Sequence, residues 1–238
     1  MEALSGCPVE FKPDSSLHLK ATLRMARNGA PAHVLHYRPS NDPLDYWVAY
    51  QVGFALRLFE LAPNERFDFV ATGDGGEQVR SMLTAGQALT EADQANLPRF
   101  AELTLQWALM NLRSFAIGMR IDQWIAEQLP TLQAQQRSGI DSLQQENLGL
   151  LSQRTGNLCI PVPLLAPVAA CALFADRLLD TSLYTIAYRA AGVLDAGREL
   201  LNISDALGKS PADDRNLVDA WAASIGMTGW YAWQPYKP

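Results

Sequence analysis

The stretch that most constrains the fold is residues 158–175, "LCIPVPLLAPVAACALFA", which contains no charged side chain. Its length is close to the lower limit for a membrane-spanning helix. Three prolines interrupt its first half, the last of them Pro167, and charged residues follow at once from Asp176. Because proline breaks the hydrogen-bond ladder of a helix, the sequence predicts an extended approach and then a helix from about Pro167. We expect this helix to lie in a protein core, so the rest of the chain must cover it.

The amino-acid composition is consistent with a buried core, and the net charge bears on whether the protein binds nucleic acid. The chain has 238 residues, of which 48% are hydrophobic and 18% charged, as is typical of a globular protein with one large domain or two small ones. Its net charge of -6 comes without a basic run, so no nucleic-acid partner is expected.

The cysteines and the N-terminus bear on the compartment. Cys7, Cys159 and Cys171 form an odd set without a Cys-x-x-Cys pair, which predicts neither a disulfide framework nor a zinc knuckle. The N-terminal "MEALSGCPVEFKPDSS" lacks a basic region followed by an apolar stretch, so no secretory signal is expected. The sequence therefore predicts a cytoplasmic protein without membrane association.

Helix caps, alternation and turn residues predict a mixed N-terminal part. The clearest signal is "SNDPLD", where Asp42 suits the N-cap of a helix and Pro43 its first position. In chain order, the predicted elements are a helix from the "DSS" at 14–16 to Asn28-Gly29, a strand over 32–39, a helix over 43–60, a strand over 65–73, a "GDGG" turn at 73–76, and a short helix with a loop over 77–97.

The second half is predicted to be almost wholly helical. Apolar stripes place helices over 98–128, 131–155, from about 167, 181–202 and 210–226. The 131–155 helix is rich in glutamine, which favours a face toward solvent or a partner. In the last helix, Ser210 and Asp213 form a predicted capping box. The aromatic tail, with Trp230, Tyr231 and Trp233, is expected to be pinned onto the body and is the first candidate for a partner contact.

These elements predict an α+β fold that is mainly α. A small strand-and-helix unit over residues 1–97 would pack on a helical bundle over 98–238, either as two domains or as one continuous domain. No fixed-period repeat and no linker composition separates them.

One region resembles a known family. Residues 32–60, "AHVLHYRPSNDPLDYWVAYQVGFALRLFE", are similar to the ImmA/IrrE-like metallopeptidases, in which a strand leads through a polar loop to a helix reading roughly V-A-H-E-[ILV]-G-H. Val48, Ala49 and Gly53 match this pattern, and apolar residues follow as in the family. The resemblance implies a zincin-like N-terminal unit and a bacterial protein with a regulatory or defence role.

The residues that zinc hydrolysis needs are replaced. Tyr50 stands at the first histidine, Gln51 at the glutamate and Phe54 at the second histidine. A neutral phenol is a poor zinc ligand, a phenyl ring has no donor atom, and an amide cannot act as a general base. We therefore expect no catalytic residue, metal or cofactor here, and a non-catalytic, metallopeptidase-like protein that binds a protein or peptide in the remnant cleft.

Two histidines would complete that cleft. His33 and His36 lie on the strand that precedes the helix, three residues apart. Since side chains alternate along a strand, the two imidazoles are predicted to lie on opposite faces and not to share a metal ion.

Other functions remain open from the sequence. An enzyme of another class would use carboxylates such as Glu60, Asp68 or Asp74. A structural subunit would use the glutamine-rich helix and the aromatic tail as interfaces, and oligomers are left open. A further hypothesis is anion binding by Arg57 together with Arg113 or Arg120.

Overall fold

The computed structural model describes residues 1–39, 43–73, 75–85 and 88–238, and the side chain of Arg154 lies outside this description. Helices account for most of these residues, and three small sheets accompany them. The predicted α+β, mainly α class is therefore confirmed. Within the described ranges, no helix is both long enough and apolar enough to cross a bilayer.

The element bounds are as follows. The helices are α1 (Glu2–Ser5), α2 (Leu44–Phe59), α3 (Gly75–Thr84), α4 (Glu91–Gln128), α5 (Gln133–Leu151), α6 (Val162–Leu178), α7 (Ile186–Ala190), α8 (Leu194–Ala206) and α9 (Asp214–Ser224). The strands are β1 (Val9–Pro13), β2 (Ala21–Arg24), β3 (His33–Tyr37), β4 (Phe67–Ala71), β5 (Arg154–Thr155), β6 (Leu158–Cys159) and β7 (Tyr231–Pro235). Short 3-10 turns lie at Pro63–Glu65, Pro130–Leu132 and Pro211–Asp213.

The N-terminal sheet replaces a predicted helix. Its strand order is β1-β3-β2, with β1 parallel and β2 antiparallel to β3. The helix predicted from 14–16 to Asn28-Gly29 is wrong, because β2 occupies its centre and Leu23 pairs with Leu35. The presumed cap is an Asx turn, in which the Asp14 carboxylate accepts the Ser16 N–H at 2.9 Å. Pairing with distant strands has overridden the local helix signal.

The strand and helix that follow are confirmed. β3 and α2 lie where the sequence predicts them, and so does β4. Helix α2 begins at Leu44 with Pro43 as its N-cap, one residue later than expected. Asp42, the predicted cap, and Asp74, in the predicted "GDGG" turn, lie outside the described residues.

Two helices begin earlier than their prolines suggested. Helix α4 starts at Glu91 and contains Pro98, because a capping box between Thr90 and Asp93 stabilises the earlier start. Helix α6 starts at Val162 and likewise contains Pro167. Most of α6 is buried, in agreement with the prediction of a core helix.

Other helical predictions need smaller corrections. The segment over 181–202 is two helices, α7 and α8, separated by Gly192 in the left-handed region (φ 72°). The glutamine-rich helix α5 is not turned wholly to solvent or a partner, because Gln136 and Gln144 are buried. The capping box between Ser210 and Asp213 is confirmed.

The tail joins the two halves of the chain. β7 pairs antiparallel with β4, opposing Trp233 to Phe69. The tail is therefore pinned onto the body, as predicted. β4 and α2 belong to residues 1–97, β7 belongs to 98–238, and α4 runs through the expected boundary from Glu91. The pairing of β4 with β7 and the packing of α2 on α4 therefore both cross it.

Helix α2 contributes to two apolar clusters. Tyr46 and Tyr50 belong to the main core, which is built around α4, α6, α8 and α9. Ala55 and Phe59 form a second cluster with Tyr236 of the tail, beneath the N-terminal sheet. The helix is thus buried along more than one face, and this fixes the side chains at its C-terminal end.

Candidate ligand-binding cleft

Tyr50 and Phe54, at the positions where the resembling family carries histidines, are packing residues. Tyr50 is buried against α4, where its hydroxyl donates to the carbonyl of Ser114 at 3.5 Å and lies directly over Gly118. Burial raises the pKa of Tyr50 well above its usual value. Phe54 meets the Tyr50 ring edge-to-face with 5.5 Å between ring centroids, and Gln51 is half-buried. The chemistry at these positions is that of a helix interface.

The two histidines lie elsewhere. His33 is buried against Phe59, nine residues or about 13 Å along α2 from Tyr50. Its Nδ1 accepts the Ala26 N–H at 2.9 Å, so its Nε2 carries the proton and donates to Ser5 Oγ at 2.9 Å. Burial lowers the pKa of His33.

His36 is half-buried on the opposite face of the sheet, as predicted from the alternation. The structure therefore brings Tyr50 and Phe54 together, but it does not bring either histidine to them. Among the described residues, no three His, Cys, Asp or Glu side chains lie close enough to hold a metal ion.

The aromatic tail is used largely within the molecule. Trp230 is fully buried and its indole N–H donates to Gln78, so its ring is not available to a partner. The Tyr231 hydroxyl and the Trp233 indole both donate to Asp219, at 2.6 and 2.8 Å. Tyr231 and Trp233 keep only partial exposure.

Two of the three carboxylates proposed for another enzyme class lie within the described residues, Glu60 and Asp68. Asp68 forms a bidentate ion pair with Arg27 at 2.6 and 2.7 Å. Glu60 is exposed at the end of α2, and Asp74 lies outside the described residues.

A buried carboxyl that the sequence did not single out lies between α2, α4 and α5. Asp122 accepts the Tyr46 hydroxyl at 3.0 Å and the Gln136 amide at 3.2 Å. Burial raises the pKa of Asp122 to about 7, although both hydrogen bonds act in the other direction. The nearby Cys171 thiol is also buried, which raises its pKa to about 12.

Two of the arginines suggested for anion binding, Arg57 and Arg120, bind the same carboxylate. Arg57 donates to Asp214 through Nε and Nη2, both at 2.7 Å, and Arg120 donates to the same carboxylate at 2.7 Å. The side chains are 14%, 7% and 13% exposed for Arg57, Arg120 and Asp214. Two guanidinium groups thus share one carboxylate, and we call this set the Asp214 bridge.

Three helices and one loop position the Asp214 bridge. Arg57 is in the last turn of α2, Arg120 is in the second half of α4, and Asp214 is the first residue of α9, where the helix dipole favours a carboxylate. The carbonyl of Lys209 accepts from Arg57 at 3.0 Å, and that of Gly208 accepts from Arg120. Asp214 is 157 residues from Arg57 in the chain, so no local pattern could have paired them.

A cleft of about 210 Å³ opens beside the bridge, between α2, α4, α6 and α8. Its apolar wall includes Met119, Phe174 and Leu201. Its charged groups are Arg57, Arg120, Arg177 and Lys209, against Glu127 and Asp205. Even with Asp214 counted, cations exceed anions by one, although the whole chain carries a net charge of -6. Arg177 and Asp205 form an exposed pair at 2.8 Å.

Comparisons with known proteins add no further constraint. The chain matches no protein-family model, and neither the curated proteins nor the solved structures give a significant match.

Proposed function

We propose that this protein is a non-catalytic binding protein that recognises an acidic residue of a protein or peptide partner in the cleft beside the Asp214 bridge. The observation that carries the proposal is the sharing of one carboxylate by Arg57 and Arg120. Arg57 donates through Nε and Nη2, so its Nη1 has no protein acceptor in the described part of the chain. A carboxylate from a partner would accept charge-assisted hydrogen bonds from this Nη1 group.

The size and lining of the cleft define what it takes. Sites for drug-sized ligands occupy about 300–1,000 Å³, whereas this cleft measures about 210 Å³. That volume suits one side chain with an apolar neighbour, not an extended substrate. Phe174 and Leu201 offer the apolar contact, and the arginines offer the polar one. We therefore infer recognition of a short motif that pairs an aspartate or glutamate with an apolar residue.

The proposal extends to the origin of the fold. We infer that the N-terminal unit is zincin-like and descends from an ImmA/IrrE-like metallopeptidase, with a regulatory or defence role in a bacterial cell. Support comes from the order of β3 and α2 and from Gly53, which lets α2 approach Ile121 of α4. Finding related chains with histidines at positions 50 and 54 would support this descent. If all related chains carry aromatic residues at both positions, the inference is wrong.

Selection from a random hexapeptide display library tests the binding proposal. We expect the wild-type protein to enrich peptides with Asp or Glu beside an apolar residue, because such peptides match both walls of the cleft. Replacing Arg177 and Lys209 together with glutamine should abolish most of this enrichment, since two of the four lining cations are lost.

The matched control removes two cations from elsewhere on the surface. Arg80 and Arg198 lie in exposed ion pairs with Glu77 and Asp195, so the R80Q/R198Q variant changes net charge equally without touching the cleft. Acidic enrichment that disappears equally in both double variants, or never appears with the wild type, would sink the proposal.

A further inference from the structure

A second, smaller cavity lies on the other side of Arg57. It measures about 50 Å³ and is lined by residues of α2, α4, β4, β7 and the start of α9. Three arginines line it, Arg57, Arg113 and Arg215, and each comes from a different helix. We call this cavity the inner pocket.

Arg113 lines the inner pocket, and no carboxylate among the described residues forms an ion pair with it. In the described part of the chain it forms no hydrogen bond or ion pair, and its guanidinium lies 5.7 Å from the Phe54 ring centroid. Burial works against the cation and lowers the pKa of Arg113, while Asp68 and Asp214 act in the opposite direction. An arginine held half-buried in this way lacks the carboxylate that normally accompanies it.

Arg215 lies close to two aromatic rings. Its guanidinium carbon lies 3.9 Å from the Phe67 centroid and 5.5 Å from that of Trp233. Cation–π contact stabilises the charge but leaves the donors in the guanidinium plane unsatisfied. Its Nε is buried and has no acceptor among the described residues.

The carboxylates of the inner pocket do not neutralise these cations. Asp214 is already engaged by Arg57 and Arg120, and Glu65 is exposed at the rim. Three arginines lining the pocket, with Arg120 behind them, therefore face two carboxylates.

We propose that the inner pocket binds the phosphoryl group of a small anion, either free phosphate or a phosphomonoester. Donors that approach from three helices suit a tetrahedral oxyanion better than a planar carboxylate, which offers only two oxygens. A cavity of about 50 Å³ has space for about three to five water molecules at about 10–15 Å³ each, and the five heavy atoms of a phosphate ion match the upper end of this range. Arg113 and Arg215 do not line the outer cleft, so this site has binding residues of its own.

Thermal unfolding in phosphate at constant ionic strength, balanced with sodium chloride, tests the inference. We expect a saturable rise of about 4 °C in the midpoint at ten times the dissociation constant, because the anion binds only the folded state. The R113Q variant should lose this rise, and R215K should lose most of it, since lysine keeps the charge but not the planar donor set. R80Q removes an exposed cation on α3 and should keep the whole rise.

The source of the phosphoryl group is decided by comparing inorganic phosphate with phenyl phosphate. A closed pocket admits the free ion alone, whereas an open one accepts the monoester at least as tightly, and either result supports the inference. The inference is overturned if phosphate raises the wild-type midpoint no more than chloride does. It is also overturned if R113Q and R215K both show the same rise as the wild type. Should one variant fail to fold, the other is compared with the wild type by the broadening of the phosphate ³¹P resonance. Broadening equal to that caused by the wild type overturns the inference. Loss of the phosphate effect with acidic-peptide enrichment intact would leave the outer cleft proposal standing.

Discussion

Asp122 shows how a single residue can set the pH response of the molecule. Its carboxyl is buried between α2, α4 and α5, where the Tyr46 hydroxyl and the Gln136 amide donate to it. The charged form is costly there, so the pKa rises to about 7 from 3.8 in the unfolded chain. The folded protein therefore holds a proton near neutral pH that the unfolded chain releases.

The sign of the effect on stability follows from this difference. With a folded pKa above the unfolded one, the stabilising contribution is complete below pH 3.8 and is lost as pH rises to about 7. The whole difference corresponds to about 4 kcal/mol of unfolding free energy. Between pH 5 and 7 we expect D122N to show a flatter profile than the wild type in urea unfolding, because asparagine does not titrate.

Asp195 provides the control for this measurement. Its side chain is almost fully exposed beside Arg198, so D195N should keep the slope of the wild type. A D122N profile that parallels the wild-type profile would contradict a shifted pKa at Asp122.

At the scale of elements, small residues decide how closely the helices approach. Gly53 of α2 lies against Ile121, Gly118 of α4 against Tyr50, and Gly139 of α5 against the Tyr46 ring. A methyl group at any of the three positions would overlap the facing side chain. Tyr50, at the position of a zinc ligand in the resembling family, is thus the counterpart of a glycine on the next helix.

Gly118→Ala tests this packing directly. We expect a loss of about 1–3 kcal/mol in unfolding free energy, because overpacking at Tyr50 outweighs the roughly 1 kcal/mol gained in helix propensity. Since the hydroxyl is the nearest atom, Y50F should recover much of the loss in the double variant. Guanidinium unfolding of the wild type, G118A, Y50F and the double variant measures the coupling energy between the two residues.

Gly149→Ala is the matched control. No heavy atom lies within 4 Å of the added methyl group, so this variant on α5 should be neutral or slightly more stable. Additive effects of G118A and Y50F would show that the two residues do not constrain each other.

Elements whose signal is local are predictable from this sequence, whereas elements defined by pairing with distant strands are not. β3, α2 and β4 carry clear alternation or helical stripes between turn residues, and they were predicted. β1 and β2 are short and gain their definition only from β3, so a helix was assigned in place of β2.

The same physical reason limits prediction of the site. Arg57 and Arg120 were candidates for anion binding, but the sequence gives no sign that Asp214 would join them. That Tyr50 and Phe54 make a poor zinc site follows from coordination chemistry alone. The burial of Asp122 could not be predicted, because neighbouring residues in the chain do not reveal which acidic side chain faces inward.

At the scale of the whole molecule, the pairing of β4 with β7 links distant parts of the chain. Beyond the strand hydrogen bonds, Tyr231 stacks on Phe69 with 4.3 Å between ring centroids, and Tyr236 packs against Phe59. The Tyr236 N–H also donates to the carbonyl of Arg66 at 2.9 Å. The tail thus covers apolar surface of both α2 and β4.

Removing residues 231–238 should therefore destabilise the molecule as a whole. We expect a loss of roughly 3–5 kcal/mol, comparable to deleting one large buried aromatic side chain, with β4 losing hydrogen-exchange protection first because β7 is its partner strand. Removing only residues 237 and 238 is the control, because neither belongs to β7 and both are exposed. Unchanged protection of β4 after the longer deletion would contradict a stabilising role for β7.

The Asp214 bridge also has a consequence for the order in which the molecule is made. A ribosome adding about 5–20 residues per second reaches Asp214 roughly 8–31 seconds after Arg57, since 157 positions separate the two. Until then Arg57 has no carboxylate to hold it, and its charge stays hydrated. A nascent chain consequently has neither the Asp214 bridge nor a complete inner pocket until α9 has emerged and docked.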